Sequence, residues 1–206
     1  MRNKIVNYKY EELFTSAIDK EASYPYNIKF ERKPRDKKIS GPGIYLITYK
    51  EQVLYVGSHC KHNDIISDRW LRHINTITNR GSKVGFGRNS KQKFKNEIEP
   101  LFNKFNLNFN QKEISKNRLR DTGYVTSIKR LEFVLKNKLF LKENADFSEI
   151  EFHLLLLVGK PENAIKGIEK DLICKINPPC NKQYDKDKAT ATASKSNAIK
   201  LLKAIV

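Results

Sequence analysis

Tyr45 and Tyr55 lie in two short apolar runs, Gly43-Ile44-Tyr45 and Tyr55-Val56-Gly57, and Arg69-Trp70-Leu71-Arg72-His73 follows closely. The chain thus gathers phenol hydroxyls, a fixed cation and an imidazole within a short span. Such groups handle phosphate, since arginine neutralises charge on phosphoryl oxygens and histidine or tyrosine can relay a proton. Arg69 and His73 are four residues apart and would share one face of a helix. Ile66, Trp70 and Ile74 would form a neighbouring core-facing stripe, which fixes the direction of Arg69 and His73. For a single strand tyrosine, a packed ring with its hydroxyl at the surface is the ordinary reading. The pairing of the two runs is what favours chemistry.

A carboxylate comes much later. Residues 149–158 form an apolar run that reads as a central strand, Gly159 ends it, and Pro161 at a first helical position opens a helix to about Lys175. Ile165, Ile168, Leu172 and Ile176 recur there at spacings of three and four, and Glu169 is aimed toward their side. An unpaired buried carboxylate is costly, whereas one that meets a divalent cation is compensated. An exposed glutamate beside Lys166 and Lys170 is the competing reading, and the position after the central strand favours the cation.

The elements that must position these groups can be read from pattern. Ile44 to Tyr49 and Val53 to Val56 are rich in β-branched and aromatic residues, with a turn at Lys50-Glu51-Gln52, which predicts an antiparallel hairpin. Alternation puts Tyr45, Ile47 and Tyr49 on one face. Ser58 to Asn63 reads as a polar loop, and Asn63 or Asp64 as the cap of the next helix. Tyr10, Leu13, Phe14 and Ile18 predict a short helix over residues 8–20, and Glu31 to Lys38, carrying Pro34, a charged connector. Phe105, Leu107 and Phe109 alternate with asparagines as an inserted strand would, and 128–141 fits either a helix or a hairpin. The last ten residues have helical propensity, as a frayed tail or a packing helix.

Forty Lys and Arg against 23 Asp and Glu leave a formal charge of +17. Such an excess speaks of partners rather than fold, and nucleic acid is the first polyanion to consider. Compositional bias toward Lys and Asn is the alternative source of the charge. A membrane surface lacks support, because the chain has no spanning apolar run, lipidation signal or signal-peptide region. The expected location is cytoplasmic. Cys60, Cys174 and Cys180 have no metal-ligand spacing and imply reduced thiols.

In order, Tyr45, Tyr55, Arg69, His73, Glu169 and the Asn181 of Asn177-Pro178-Pro179-Cys180-Asn181 resemble the pattern of the GIY-YIG nuclease family. The resemblance covers residues 43–57, 63–74 and 149–181, with YVG standing for YIG and a long stretch before the later strand. It implies an α+β fold: a small mixed or antiparallel three-stranded central sheet flanked by helices, with an N-terminal extension and a long internal insertion. The corresponding division is a helical extension over 1–40 serving as DNA contact or dimer arm, a nuclease domain over 41–184 with its insertion at about 80–147, and a Lys/Ala-rich tail over 185–206.

The resemblance also implies a single-metal mechanism. Glu169 would hold one Mg²⁺, with Mn²⁺ able to substitute, and Tyr45 would act as general base toward water. Arg69 would stabilise the scissile phosphate, with Arg72 the alternative arginine and Trp70 packing favouring Arg69. Tyr55 would position water or phosphate, and Asn181 would order the site. An unperturbed tyrosine titrates near pH 10, so a base role needs a neighbour that relays its proton, and His73 is the candidate. Lys61, Arg72, Arg80, Lys83, Arg88, Lys91 and Lys93 are the expected DNA contacts; the glycines at 81, 85 and 87 would allow close approach.

The little chain that follows Asn181 leaves no space for a separate reading domain, as in the compact type II restriction endonucleases of the family. The first expectation is therefore a Mg²⁺-dependent endonuclease on double-stranded DNA, with a possible homodimer at a symmetric site and a cognate DNA methyltransferase as functional partner. A repair or mobile-element nuclease of loose specificity is the second. An inactive DNA-binding protein is the third.

Overall fold

The structure is a computed structural model that describes residues 4–18, 28–34, 38–77, 100, 147–181 and 194–205. Its elements are β1 (Ile5–Lys9), α1 (Tyr10–Leu13), β2 (Phe14–Ile18), β3 (Ile28–Arg32), β4 (Gly43–Tyr49) and β5 (Gln52–His59). A π-helical turn (Ile66–Trp70) then runs into α2 (Leu71–Ile77), and β6 (Ile150–Leu156), α3 (Glu162–Ile176) and α4 (Lys195–Lys203) complete the order. Two compact units emerge: Met1–Thr15 with Glu31–Leu71 and Phe147–Val206, and Ser16–Phe30 with Arg72–Asp146. Among the described residues no helix is long and apolar enough to cross a membrane.

The class is α+β, built on an antiparallel sheet flanked by helices. The sheet has four strands in the order β1-β6-β4-β5, one more than expected. The extra strand comes from the segment read as a helical extension. Ile5 to Lys9 pairs residue by residue with Leu155 to Glu151, only Tyr10–Leu13 is helical, and Phe14 onward is strand again. Helical spacing misled because Tyr10, Leu13 and Phe14 are all buried, but Tyr10 and Leu13 lie in the single turn of α1 and Phe14 already in β2. Tyr10 meets Phe147 and Phe14 meets Phe152, at ring centroid distances of 5.6 and 5.5 Å. Sheet pairing thus outweighs local propensity. The expected connector likewise begins as strand, since β3 runs to Arg32 and pairs with β2 in a second, two-stranded sheet.

The predicted hairpin is present as β4 and β5, turning at Lys50, which adopts a left-handed conformation, and Glu51. The predicted central strand is β6, which lies between β1 and β4. Both faces of the sheet are covered, so every residue of β4 is buried. One face meets Trp70, whose indole stacks on Phe152 at 4.9 Å and lies 6.1 and 6.3 Å from the rings of Tyr8 and Tyr45. The other joins Ile44, Leu46, Val53, Val56 and Leu155 to Ile165, Leu172, Ile173 and Ile176 of α3 and to Ala198 and Leu202 of α4. Removing that apolar surface from water is the main stabilising term, worth about 1.5–3 kcal/mol for each large aliphatic side chain.

Pro161 serves as the N-cap of α3 rather than its first residue. At the other end Asn177 adopts the left-handed conformation, and its N–H donates to the Ile173 carbonyl at 2.8 Å. The C-terminal segment is a packing helix: the Ser194 hydroxyl caps α4 by accepting from the Asn197 N–H, and the Lys195 N–H donates to the Glu51 carbonyl at 2.8 Å. The inserted strand at 105–110 and the alternatives at 128–141 lie outside the described residues.

His153 is buried on β6, with Nε2 3.1 Å from the Thr48 hydroxyl and 3.4 Å from Glu151, which Lys195 also pairs at 2.9 Å. Burial holds its titration down to about 4, opposed by Glu151 and reinforced by Lys195. The unfolded chain, with an ordinary histidine near 6.5, therefore binds the proton first as pH falls. Stability is full above about pH 6.5 and is lost down through about pH 4, by roughly 3 kcal/mol in all at 1.36 kcal/mol per pH unit. Urea midpoints should fall across that window, and His153→Leu should flatten the fall; equal slopes in both proteins would remove His153 as the cause.

Candidate active site

The hairpin register decides which residues meet. Tyr49 pairs with Gln52 and Thr48 with Val53, but Ile47 pairs with Tyr55, so Leu54 is an extra residue in β5. Continued without that bulge, the pairing would set Tyr45 opposite Val56 and turn Tyr55 to the other face. With it, Tyr45 stands opposite Gly57, and the two tyrosine rings lie on one face, their centroids 6.2 Å apart.

Gly57 is the floor beneath both rings. A Cβ at this position would collide with Cζ and Oη of Tyr45 and stand 2.8 Å from Cε1 of Tyr55. Gly43 answers a similar constraint, because a Cβ there would meet the backbone carbonyl of Leu155 on β6. The glycines of both motifs are therefore places where only hydrogen fits. Tyr45 is buried against the edge of Trp70, whereas Tyr55 is half-exposed.

The outer edge of β5 is held from the turn after α3. The Cys180 N–H donates to the Leu54 carbonyl at 3.0 Å, on the bulge itself. Asn181 is buried and engages Val56 twice at 2.8 Å: its Oδ1 accepts from the Val56 N–H and its Nδ2 donates to the Val56 carbonyl. The carboxamide acts as one residue of a neighbouring strand. Both of its ends are thereby committed to the backbone of β5.

Strand alternation next sends Ser58 and His59 to opposite faces. Ser58 donates to Oε2 of Glu169 at 2.5 Å, so the carboxylate reaches β5 directly beside Gly57. His59 is buried with the tyrosines' face; its Nε2 donates to the Asn63 carbonyl at 3.1 Å, and Nδ1 lies 3.7 Å from Oδ2 of Asp68. Burial lowers the His59 titration, the Asn63 bond and Asp68 oppose this, and Arg69 and Lys61 add to it. Arg69 sits in the π-helical turn with Nε 3.4 Å from the same Asp68 oxygen.

Asp64 anchors the start of that turn, as its predicted cap role requires. Its Oδ2 accepts from the Ser67 N–H at 3.3 Å and pairs with Arg32 at 3.1 Å, while Oδ1 accepts from the Ile39 N–H. Ile66, Trp70 and Ile74 are all buried, as their spacing predicts.

The first unit thus brings Tyr45, Tyr55, Arg69, Glu169 and Asn181 to β5 or its immediate neighbours. Arg72 and His73 belong to the second unit, where Arg72 is exposed and His73 buried. Lys61 is exposed in the loop after β5. Arg80, Lys83, Arg88, Lys91 and Lys93 lie outside the described residues. Sequence reasoning missed Ser58, His59 and Asp68. Alternation from Tyr55 through Gly57 to His59, and to Ser58 on the opposite face, was the available signal.

Among the described residues no three His, Cys, Asp or Glu side chains converge as a metal cage. Glu169 nonetheless fits the way Mg²⁺ is commonly held, by one or two carboxylates with water and substrate phosphate completing the shell. Its Oε2 is fixed by a neutral hydroxyl rather than by a cation. Comparison of the chain with family models, with curated proteins and with solved structures finds no match in any of the three.

Two outcomes follow from the geometry. Gly57→Ala should cost about 1–3 kcal/mol by overpacking and displace the tyrosine rings, read by denaturant unfolding and tyrosine fluorescence; parental values in both would mean the rings do not rest on Gly57. Asn181→Ala leaves the Val56 N–H and carbonyl without their partner, a cost of about 1–3 kcal/mol for each buried group. Hydrogen exchange at Val56 should accelerate accordingly.

Proposed function

We propose that this protein is a Mg²⁺-dependent endonuclease that hydrolyses phosphodiester bonds in double-stranded DNA, in the manner of a restriction endonuclease. The observation that carries the reading is what gathers at the end of edge strand β5: on one face a tyrosine pair over Gly57 with an arginine near His59, and on the other a carboxylate on Ser58. The formal charge of +17 supports a polyanionic substrate.

Glu169 would hold the ion, with Mn²⁺ able to substitute. Bound there, a divalent cation would neutralise charge on the phosphate and its leaving oxygen. Arg69 would take the non-bridging oxygens through its terminal nitrogens, since its Nε edge is occupied by Asp68. Tyr45, held rigidly between Gly57 and Trp70, would orient the attacking water and accept its proton. Tyr55, the more open of the pair, would contact water or phosphate. Asn181 would act through Val56 by fixing the strand that carries them.

Specificity would come from the basic residues of the insertion, with a homodimer cutting both strands of a symmetric site and a methyltransferase protecting the host. With phage DNA and Mg²⁺ the purified protein should give discrete fragments, and chelation should abolish them. Glu169→Gln and Tyr45→Phe should each lower cleavage by about 100-fold or more with the fold intact. A smear would assign a nuclease of loose specificity. DNA that is bound but stays whole would instead assign a binding protein on this scaffold.

A further inference from the structure

Three polar atoms meet beside the tyrosine face without reaching solvent: Nδ1 of His59, Oδ2 of Asp68 and Nε of Arg69. Asp68 stands between the other two, 3.7 Å from the imidazole and 3.4 Å from the guanidinium, ion-pair distances rather than hydrogen bonds. The Arg69 side chain as a whole is 39% exposed, so burial is confined to its inner edge. The Asn63 carbonyl can only accept, which assigns the proton of neutral His59 to Nε2 and fixes the ring against the loop. His59 then covers Oδ2 of Asp68, although the Asp68 side chain as a whole is 21% exposed, and a charge contact screened from water on one side is stronger than the same contact at the open surface.

From this geometry we infer that Asp68 is a positioning residue that holds Arg69 through an ion pair at its Nε edge, beneath the covering His59 ring, and so aims the two terminal guanidinium nitrogens outward at a phosphodiester. The arrangement resolves an apparent contradiction. An acidic residue next to the arginine of a DNA site weakens attraction for DNA, yet it converts a mobile cation into an oriented fork. Asp68 and Arg69 are adjacent in sequence, and adjacent helical side chains do not normally face each other; here they meet within the π-helical turn.

The inference rests on the nuclease reading for its catalytic arm, and a spectroscopic arm separates the two. Asp68→Asn keeps the shape and removes the charge. DNA binding should be unchanged or tighter, whereas kcat should fall about 10- to 100-fold, a split that electrostatic attraction alone would not give. Cleavage at or above the parental rate would overturn the inference. In ¹⁵N NMR of the parent, the Arg69 Nε–H should exchange slowly with solvent, and in Asp68→Asn it should exchange fast while β5 amides keep their protection. Fast exchange in the parent would overturn the grip whether or not the protein cuts DNA. If the parent leaves DNA intact but the Nε–H is protected and released by Asp68→Asn, the grip stands and the nuclease reading fails.

Discussion

The candidate site depends on one extra residue in one strand. Leu54 shifts the pairing of β5 with β4, and this single step brings Tyr55 to the face occupied by Tyr45. The same step places Val53 and Val56 together on the opposite face, in the core with α3 and α4. A bulge is a local disruption of the ladder and has to be held. Here the holding comes from the turn after α3, which supplies an N–H to Leu54 and a carboxamide to Val56. The asparagine–proline–proline segment is thus tied to the tyrosines through backbone, although it lies far from them in sequence.

β5 is an edge strand, and an unprotected edge exposes a row of backbone groups that attract other chains. Cys180 and Asn181 satisfy the middle of this edge, and an isolated bridge from Gln52 to Ser194 satisfies its beginning. Among the described residues the strand ends in Gly57-Ser58-His59, which carries the polar side chains of the candidate site. Protection of the edge and construction of the site are therefore one problem with one solution. Gly57 belongs to both sides of it, because the absence of a side chain is what lets two aromatic rings cover the strand there.

Much of this was legible in the sequence because it rests on local rules. The hairpin, the central strand, the helix after Pro161, the Asp64 cap and the buried stripe of Ile66, Trp70 and Ile74 follow from periodicity and capping chemistry. The fourth strand was not legible. Tyr10, Leu13 and Phe14 have helical spacing, and only pairing with β6 shows that Ile5 to Lys9 is a strand. The bulge was hidden for a similar reason, since a hairpin without it reads equally well and no local residue demands the shift. His59 and Ser58 could have been inferred from alternation, but only after Tyr55 and Gly57 had been placed. Asp68 reaches Arg69 through a π-helical turn, which helical periodicity does not anticipate.

Charge pairing separates the carboxylates of the first unit by what they are for. Asp64 is paired with Arg32, Asp68 with Arg69 and Glu151 with Lys195, so each brings a cation of its own. Glu169 is bonded instead to a neutral hydroxyl, and the nearby Lys166 is committed to Glu162. In a chain with so large an excess of lysine and arginine, a carboxylate satisfied by serine is a choice of chemistry rather than of supply. A hydroxyl fixes the orientation of the group without adding a charge of its own. An uncommitted charge of that kind suits a carboxylate that is to take a divalent cation, here on the Ser58 face of β5, across the strand from the tyrosines.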